Sequence, residues 1–488
     1  MTDHSAASVL GASTAPAARL EPDAIGVAQD TVIGMASSAP AASVALTLPF
    51  LVAAVAYGTG PIIILTAIPM LIIANAYRRL NLWNANCGAS FEWVGRAISP
   101  YLGFLTGWLM IAAYIIATVS GVEVLGPSVI AVFSSSSTGS TWADIGIGTG
   151  VGLVMLVIAI VGIKITARAQ VSMALVEYAI LIGFAIVGLI FVLNHHAGTF
   201  GFTSSWLSFS GIGGKGDAVA GFLIAVFMFT GWDGTVYVNE EVRHRRVNPG
   251  RAAMIAVALL AIIYTLATVG LQGTVSPSKL QANAADVLVY VANALGGSGW
   301  AKVMALSLAL SVIATTGTGI VLTARIVYGM ASYRALPESL SNVSRRFATP
   351  VAASVVVGVL IIALTWVYLL ATSVENAFDD VVDVTGLLFA VFYILTALAT
   401  IVYYRRRVFG GTWDFIVLGV LPLGAAGFLG WMFVRSVQLA PESQRWSLVG
   451  IIGVGIILML IARFGAQSQF FQIARESDDQ RLAAASRQ

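Results

Sequence analysis

Twelve long apolar stretches constrain this 488-residue chain more than any other feature of its sequence. A helix needs about 20 apolar residues to cross a hydrocarbon layer of roughly 30 Å. Only 10% of the residues are charged, whereas soluble proteins carry about a quarter. The sequence therefore predicts an all-α integral membrane protein with twelve transmembrane helices. The predicted spans cover residues 28–56, 60–78, 101–131, 145–165, 169–193, 218–241, 250–272, 299–330, 351–372, 380–404, 413–434 and 446–464.

The basic residues divide unevenly between the two sides of these spans. If the N-terminus is cytoplasmic, twenty-one of the 26 Lys and Arg residues fall on the cytoplasmic side. Cytoplasmic loops of membrane proteins carry such an excess. The distribution predicts a multi-pass protein of the plasma (inner) membrane with both termini cytoplasmic. Residues 1–25 lack the basic start and apolar core of a signal peptide, and we predict a disordered N-terminal tail there and a cytoplasmic C-terminal tail at 466–488.

The sixth span contains an interruption near its middle, where Gly231 and Gly234 flank Trp232 and Asp233. In hydrocarbon an unpaired backbone group costs several kcal/mol, so interruptions persist only where protein or a wet cavity satisfies the freed groups. An ionisable residue at this depth is rare and faces a cavity or a partner. Two interpretations follow: a kinked helix whose Asp233 pairs inside the bundle, or a broken helix whose ends form a binding site.

The first span contains a second interruption, where Pro40 follows Ser37 and Ser38. Proline lacks an N–H and clashes with the preceding turn of a helix. Each interrupted span is followed by four more, so the breaks occupy equivalent positions in two five-helix units. Because five is odd, the second unit is inverted relative to the first, with a site at the midplane. We predict an inverted-repeat core at 26–404 and two additional helices at 405–465.

Four sequence blocks together resemble the amino acid–polyamine–organocation permeases. The blocks are GASFEWVGRAISPYLGFLTGW (88–108), VGIKITARAQVSMALVEYAIL (161–181), FTGWDG (229–234) with NEEVRHRRVNPGRA (239–252), and LTARIVYGMASYRALPESLSNVSRRFATPVAA (322–353). The resemblance implies the leucine-transporter type of fold, in which the unwound parts of helices 1 and 6 bind the amino and carboxyl groups of the substrate. Carried over, the substrate-binding residues are Ser37, Ser38, Ala39, Pro40, Phe229, Thr230, Gly231, Trp232 and Asp233. Phe229 or Trp232 would close over the substrate.

The sequence departs from the family pattern at two positions. The first break is Ser-Ser-Ala-Pro where many relatives have a glycine-rich stretch, and Pro40 cannot donate a hydrogen bond to a carboxylate. Glu177 occupies a position where many proton-coupled relatives have a lysine. Three roles follow for Glu177: it carries the coupling proton, it binds a cation, or it pairs with Arg168 as part of the structure.

Further candidates lie in the eighth span and at the inner end of the sixth. Thr315 and Thr316 are either ligands of Na⁺ or packing residues, since Thr is common where membrane helices approach closely. Arg325 with Glu240 or Glu241 would form an inner gate, or these residues anchor the helix ends at the membrane surface.

The resemblance implies secondary active transport of an amino acid, with proton-coupled uptake by alternating access. H⁺ is the favoured coupling ion and Na⁺ the alternative. An amine or polyamine permease is the second hypothesis, supported by the acidic residues Asp233, Glu177 and Glu123. An amino acid exchanger of the same fold is also compatible with the sequence. We predict no enzyme activity, no metal, no cofactor and no nucleic-acid partner, because none of the four histidines lies in a span and no nucleophile–His pair occurs. Membrane lipids are the expected surroundings, and a channel and a nutrient sensor remain rival functions.

Overall fold

The computed structural model describes residues 19–134, 139–196, 198–209, 217–371 and 374–472. These residues form a bundle containing twelve helices that are long and apolar enough to cross a membrane. Spans 1 to 12 are, in order, Val27–Val55, Thr59–Trp83, Pro100–Phe133, Thr141–Val161, Ile163–Leu193, Ala218–Val236, Asn248–Gln272, Ser298–Ser332, Val351–Leu370, Val384–Tyr403, Thr412–Leu439 and Glu442–Gly465. Their number and order confirm the predicted all-α membrane protein.

The turn between spans 4 and 5 lies earlier than the sequence predicts. Span 4 ends at Val161 and span 5 begins at Ile163, so Gly162 alone connects them. Gly162 has φ +139°, a backbone conformation that side-chain-bearing residues avoid. Lys164 and Arg168 therefore belong to the first turns of span 5 and not to a loop.

The contacts between spans repeat with an offset of five. Span 3 packs on span 10 and span 8 packs on span 5; likewise span 5 packs on span 7 and span 10 on span 2. Spans 3 and 8 are counterparts, as are 5 and 10, and 2 and 7. Exchanging counterparts turns the contact of spans 3 and 10 into that of spans 8 and 5, and the contact of spans 5 and 7 into that of spans 10 and 2. This pattern is the one expected for two equivalent five-helix units that run in opposite directions, because five is odd.

Shorter elements close the two faces of the bundle. Helix Ser90–Ala97 lies between spans 2 and 3, on the face where span 1 begins, which we call the N-side. Helices Pro277–Ala282 and Val287–Gly296 lie between spans 7 and 8 on the opposite face.

The packed structure extends past both predicted tail boundaries. Leu20 and Ile25 are buried, and Ile25 forms an isolated parallel bridge with Val242. At the other end, Phe470 is buried and stacks on Phe91 with their ring centroids 4.0 Å apart. The N-terminal tail limit at residue 25 is therefore too late, because apolar side chains before it bury against the N-side. Residues 1–18 and 473–488 of the predicted tails lie outside the described residues.

Candidate functional site

Span 1 consists of two separate helices, Val27–Ser37 and Pro40–Val55. Ala39 joins them in a left-handed conformation, with φ 45° and ψ 65°. Pro40 occupies the first position of the second helix, where its missing N–H costs nothing and its fixed φ suits the helix. The predicted break in span 1 is therefore present, and the proline begins a new helix.

Span 6 breaks at the predicted glycine. Its α-helix Ala218–Met228 ends three residues before Gly231, and a 3₁₀ segment Trp232–Val236 begins directly after it. Gly231 has φ +97°, and a Cβ atom on it would lie 2.6 Å from the Ser37 carbonyl oxygen. The two breaks are therefore in direct contact, and only glycine permits the approach at this point.

A small cavity of about 60 Å³, with both hydroxyl and apolar side chains in its wall, lies beside the two breaks. Its wall consists of Ser37, Ser38, Ala39, Ala42, Ser43 and Leu46 of span 1, Ala117, Thr118, Ser120 and Gly121 of span 3, Phe227 and Thr230 of span 6, and Val312, Thr315 and Thr316 of span 8. Hydroxyl groups predominate among its polar side chains. Among these described lining residues none is charged, so backbone groups and hydroxyls supply its polarity.

Hydrogen bonds from spans 7 and 8 fix the break in span 1. The Thr315 hydroxyl donates to the Ala36 carbonyl at 2.8 Å. The Ser38 carbonyl accepts from the Ser43 hydroxyl at 2.7 Å and from the Tyr264 hydroxyl at 3.3 Å. These bonds satisfy carbonyls that a broken helix would otherwise leave unpaired in hydrocarbon.

Glu177 of span 5 lies at the start of the second half of span 1. Its side chain is buried, and Oε1 accepts the Ala41 N–H at 3.0 Å. Beside it, the Ser311 hydroxyl oxygen accepts the Ala42 N–H at 3.4 Å. A carboxylate at this point complements the positive end of the helix dipole.

The suggested ion pair between Glu177 and Arg168 does not form between these two described residues. Arg168 is exposed near the start of span 5, whereas Glu177 is buried within it. Nine residues along a helix separate them by roughly 14 Å. The interpretation of Glu177 as the partner of Arg168 is therefore wrong.

Three of the predicted substrate-binding residues pack behind the cavity wall. The Asp233 carboxylate accepts hydrogen bonds from the hydroxyls of Tyr237 and Tyr393, the latter at 2.6 Å. The Trp232 ring stacks on Tyr393 with centroids 5.3 Å apart. Phe229 is buried and packs edge-on against the Tyr264 ring, and it does not line the cavity. In this conformation the Asp233 side chain pairs inside the bundle, although the helix around it is also broken.

Phe227, rather than Phe229 or Trp232, is the aromatic residue that lines the cavity. It also lines an apolar cavity of about 440 Å³ between spans 1, 6, 10 and 11, on the side away from the N-side. Leu46 is the other residue common to both cavities. These two side chains therefore lie between the small hydroxyl-containing cavity and the larger apolar one.

Arg325 and Glu241, the candidate gate residues, form a buried ion pair near the N-side. The guanidinium donates from Nε and Nη2 to the two carboxylate oxygens, each at 3.0 Å, and both side chains are fully buried. Glu240 makes a different contact, since its Oε1 accepts the Cys87 N–H at 3.1 Å. Burial raises the pKa of the Glu240 carboxyl.

Several residues of the site were not found from the sequence. Thr118 and Ser120 interrupt an otherwise apolar run of span 3, and that polarity was the available signal. Asp30 of span 1 is fully buried, and within the described part of the chain neither carboxylate oxygen has a hydrogen-bond partner. Asp30 lies near the start of the first helix, where the sequence alone suggests a residue at the membrane surface and not a buried one. The side chain of Glu123 lies outside the described residues.

Comparisons with known proteins agree with this arrangement. Residues 29–468 match the family described as "Amino acid permease". The Asc-type amino acid transporter 1 of Mus musculus is 30% identical over 141 residues, which are 29% of this chain and 26% of that protein. The low-affinity putrescine importer PlaP of Escherichia coli (strain K12) is 25% identical over 331 residues, 63% of this chain and 67% of that protein. The chain thus spans about a quarter of the length of the mouse relative that it matches.

The crystal structure of MhsT in complex with L-phenylalanine superimposes with a TM-score of 0.60 at 14% identity, covering 85% of this chain and 99% of that one. At this identity the likeness shows the fold, and it confirms the predicted leucine-transporter-type architecture. The family is one of permeases and not of enzymes, in agreement with the sequence-based prediction. The match over residues 29–468 shows that the chain belongs to the amino acid permease family.

Proposed function

We propose that this protein is a secondary active transporter of a small amine-bearing solute and works by alternating access. The observation that carries the proposal is the contact between the two helix breaks beside a small cavity with hydroxyl groups in its wall. A C-terminal helix end carries partial negative charge and attracts an ammonium group. The two relatives are named as an amino acid transporter and a putrescine importer, and the solutes in both names carry an amino group.

The two sides of the cavity are closed by different devices. The Arg325–Glu241 ion pair closes the N-side, and Leu46 and Phe227 separate the cavity from the larger apolar one. In the proposed cycle the solute enters past Phe227, and it leaves on the N-side after the ion pair opens. The excess of basic residues on the N-side supports a cytoplasmic N-side and a plasma-membrane location.

Glu177 is the proposed proton carrier. Its carboxylate holds the Ala41 N–H of span 1, and it lies on span 5, so its protonation state bears on the contact between the two helices. A neutral carboxyl binds an N–H less strongly than a carboxylate does. Proton binding therefore weakens this contact and favours movement of the second half of span 1. Na⁺ is the alternative coupling ion, with Thr315 and Thr316 as its candidate ligands.

Uptake and counterflow in proteoliposomes test the proposal. The purified full chain is reconstituted, and uptake of radiolabelled amino acids and amines is measured with and without an imposed proton gradient, and with Na⁺ or K⁺. We expect saturable uptake, stimulation by the proton gradient, and faster uptake when unlabelled substrate is inside. Binding without uptake would identify a sensor, and ion currents that do not saturate would identify a channel; either result would overturn the proposal.

A further inference from the structure

The backbone N–H groups of the span 1 break are already paired within the protein. Ser38, Ala39 and Ser43 donate to carbonyls of span 1 at 3.0, 3.2 and 2.7 Å, and Pro40 has no N–H. Two donors remain at the start of the second half-helix, those of Ala41 and Ala42. A helix N-terminus receives a carboxylate at such N–H groups. Ala42 lines the cavity beside the breaks, whereas Ala41, Glu177 and Ser311 lie directly behind its wall.

Those two donors are occupied by side chains from spans 5 and 8. Glu177 accepts the Ala41 N–H at 3.0 Å, and Ser311 accepts the Ala42 N–H at 3.4 Å. Each of these two side chains is fully buried. The half-helix Pro40–Val55 therefore already has a carboxylate at its positive end, and that carboxylate belongs to the protein.

A ligand carboxylate at this position would meet two costs. It would displace Glu177 from the Ala41 N–H and leave a buried charged group without its hydrogen bond, which is unfavourable. It would also place a second negative charge close to Glu177, and like charges at such a distance disfavour ionisation of one of them. No lysine or arginine among the described lining residues offsets this repulsion.

The same cavity suits a cation. The helix Val27–Ser37 ends beside it, and the C-terminal end of a helix dipole stabilises positive charge. The hydroxyls of Thr118, Ser120 and Thr316 line the wall and can accept hydrogen bonds. A volume of about 60 Å³ corresponds to roughly four to six water positions, which fits the head of a short amine.

We propose that the transported solute is an amine without an α-carboxylate, and that Glu177 is the built-in carboxylate that takes the place of the one an amino acid would bring. This inference rests on the proposed transport function and narrows its substrate class. It selects the second hypothesis of the sequence analysis over the amino acid expected there.

Matched pairs of ligands test the inference on the purified full chain. Each pair differs only by the carboxylate: propylamine with 2-aminobutyrate, isobutylamine with valine, and 1,4-diaminobutane with ornithine. Binding is measured by calorimetry and transport by counterflow. We expect at least one amine to bind about ten-fold or more tightly than its amino acid, a difference of about 1.4 kcal/mol, and to be transported.

Variants at the two occupied donors locate the cause. Glu177→Ala and Ser311→Ala each free one N–H, and we expect each to shift the preference toward the carboxylate-bearing member of a pair. Glu177→Gln keeps an oxygen acceptor for Ala41 and should retain the preference for amines. Ser307→Ala is the matched control, because Ser307 lies one turn from Ser311 and donates to the Glu177 backbone carbonyl at 3.1 Å.

The outcomes separate the inference from the proposed function. Tighter binding and transport of the amino acids by the unmodified protein would overturn the inference and leave the transport function standing. Binding of an amine without any flux would support the inference and overturn transport. Binding of neither class would overturn both. If Glu177→Ala does not fold, Ser311→Ala and the ligand pairs on the unmodified protein still decide.

Discussion

At the scale of single residues, Gly231 determines how the two broken spans meet. Its φ of +97° lies in the region that side-chain-bearing residues avoid. Its N–H donates to the Tyr393 hydroxyl at 3.3 Å, and its carbonyl accepts from the Tyr114 hydroxyl at 3.2 Å. One glycine therefore joins span 6 to spans 3 and 10 while leaving room for Ser37.

Gly231→Ala is expected to destabilise the protein and to impair ligand binding. The positive φ costs about 1–3 kcal/mol for an alanine, and the new methyl group would press on the Ser37 carbonyl at 2.6 Å. The measurement is the apparent Tm of the purified protein with and without an amine that binds in the matched-pair experiment. We expect a lower Tm and a smaller ligand-induced rise.

The control is Gly183→Ala in span 5. Gly183 lies within a helix, and a methyl group there would meet nothing within 4 Å. Alanine favours the helical conformation over glycine, so this variant should keep or raise the Tm. Equal Tm values for the two variants would contradict the role assigned to Gly231.

At the scale of elements, a buried ion pair holds the end of span 6 to span 8. Removing one member of such a pair leaves an uncompensated charge and costs about 3–5 kcal/mol, whereas replacing both with apolar groups is often neutral. The same region contains Cys87, the single cysteine of the chain, which is fully buried. Burial, with Glu240 and Glu241 nearby, raises the pKa of the Cys87 thiol, and a thiol reacts as its thiolate.

Arg325→Met is expected to open the N-side and expose Cys87. The variant leaves Glu241 buried without its partner, and opening to water relieves that cost. The rate of Cys87 alkylation by a maleimide should rise by roughly ten-fold or more, since the penalty exceeds the 1.4 kcal/mol per factor of ten. Thiol labelling followed by mass spectrometry measures this rate.

Two further variants control this experiment. Arg325→Met combined with Glu241→Met removes both charges and should return the labelling rate toward that of the unmodified protein. Arg334→Met breaks an exposed pair with Glu338, whose side chains are 52% and 67% exposed, and should leave the rate unchanged because such pairs contribute little. A double variant as reactive as Arg325→Met would contradict the gate.

At the scale of the whole molecule, three distant parts of the chain meet at one point. Ala41 and Glu177 are 136 residues apart, and Ala42 and Ser311 are 269 apart. The first helix of each five-helix unit, span 1 or span 6, is broken. Side chains of spans 5 and 8 bind the backbone at the break of span 1. In the proposed transport cycle, movement of span 1 against spans 5 and 8 would change the contact made by Glu177.

Glu177→Gln is expected to remove the pH dependence of uptake while retaining substrate binding. The glutamine keeps an acceptor for the Ala41 N–H but cannot gain or lose a proton in the physiological range. Uptake in proteoliposomes should become insensitive to an imposed proton gradient, and counterflow should persist. Asp30→Asn is the comparison, because Asp30 is a buried carboxyl of span 1 whose two oxygens have no hydrogen-bond partner within the described residues.

The comparison identifies which carboxyl carries the proton. If Asp30→Asn flattens the pH profile and Glu177→Gln does not, the proton belongs to Asp30 and the role proposed for Glu177 is wrong. Retention of gradient-driven uptake by both variants would exclude proton coupling through either carboxyl.

The sequence alone determined the class of fold, the number of spans and the places where two of them break. These properties depend on hydropathy over about 20 residues and on the local effects of Pro40 and Gly231 on the backbone. They can therefore be predicted from short stretches of the sequence. Only the tertiary structure decided which side chains face the cavity. Phe227 precedes the break of span 6 and lines the cavity, whereas Trp232 and Asp233 follow the break and turn toward Tyr393. The acceptor of the Ala41 N–H, which is Glu177, likewise depends on how spans 1 and 5 pack, and no local pattern encodes that packing.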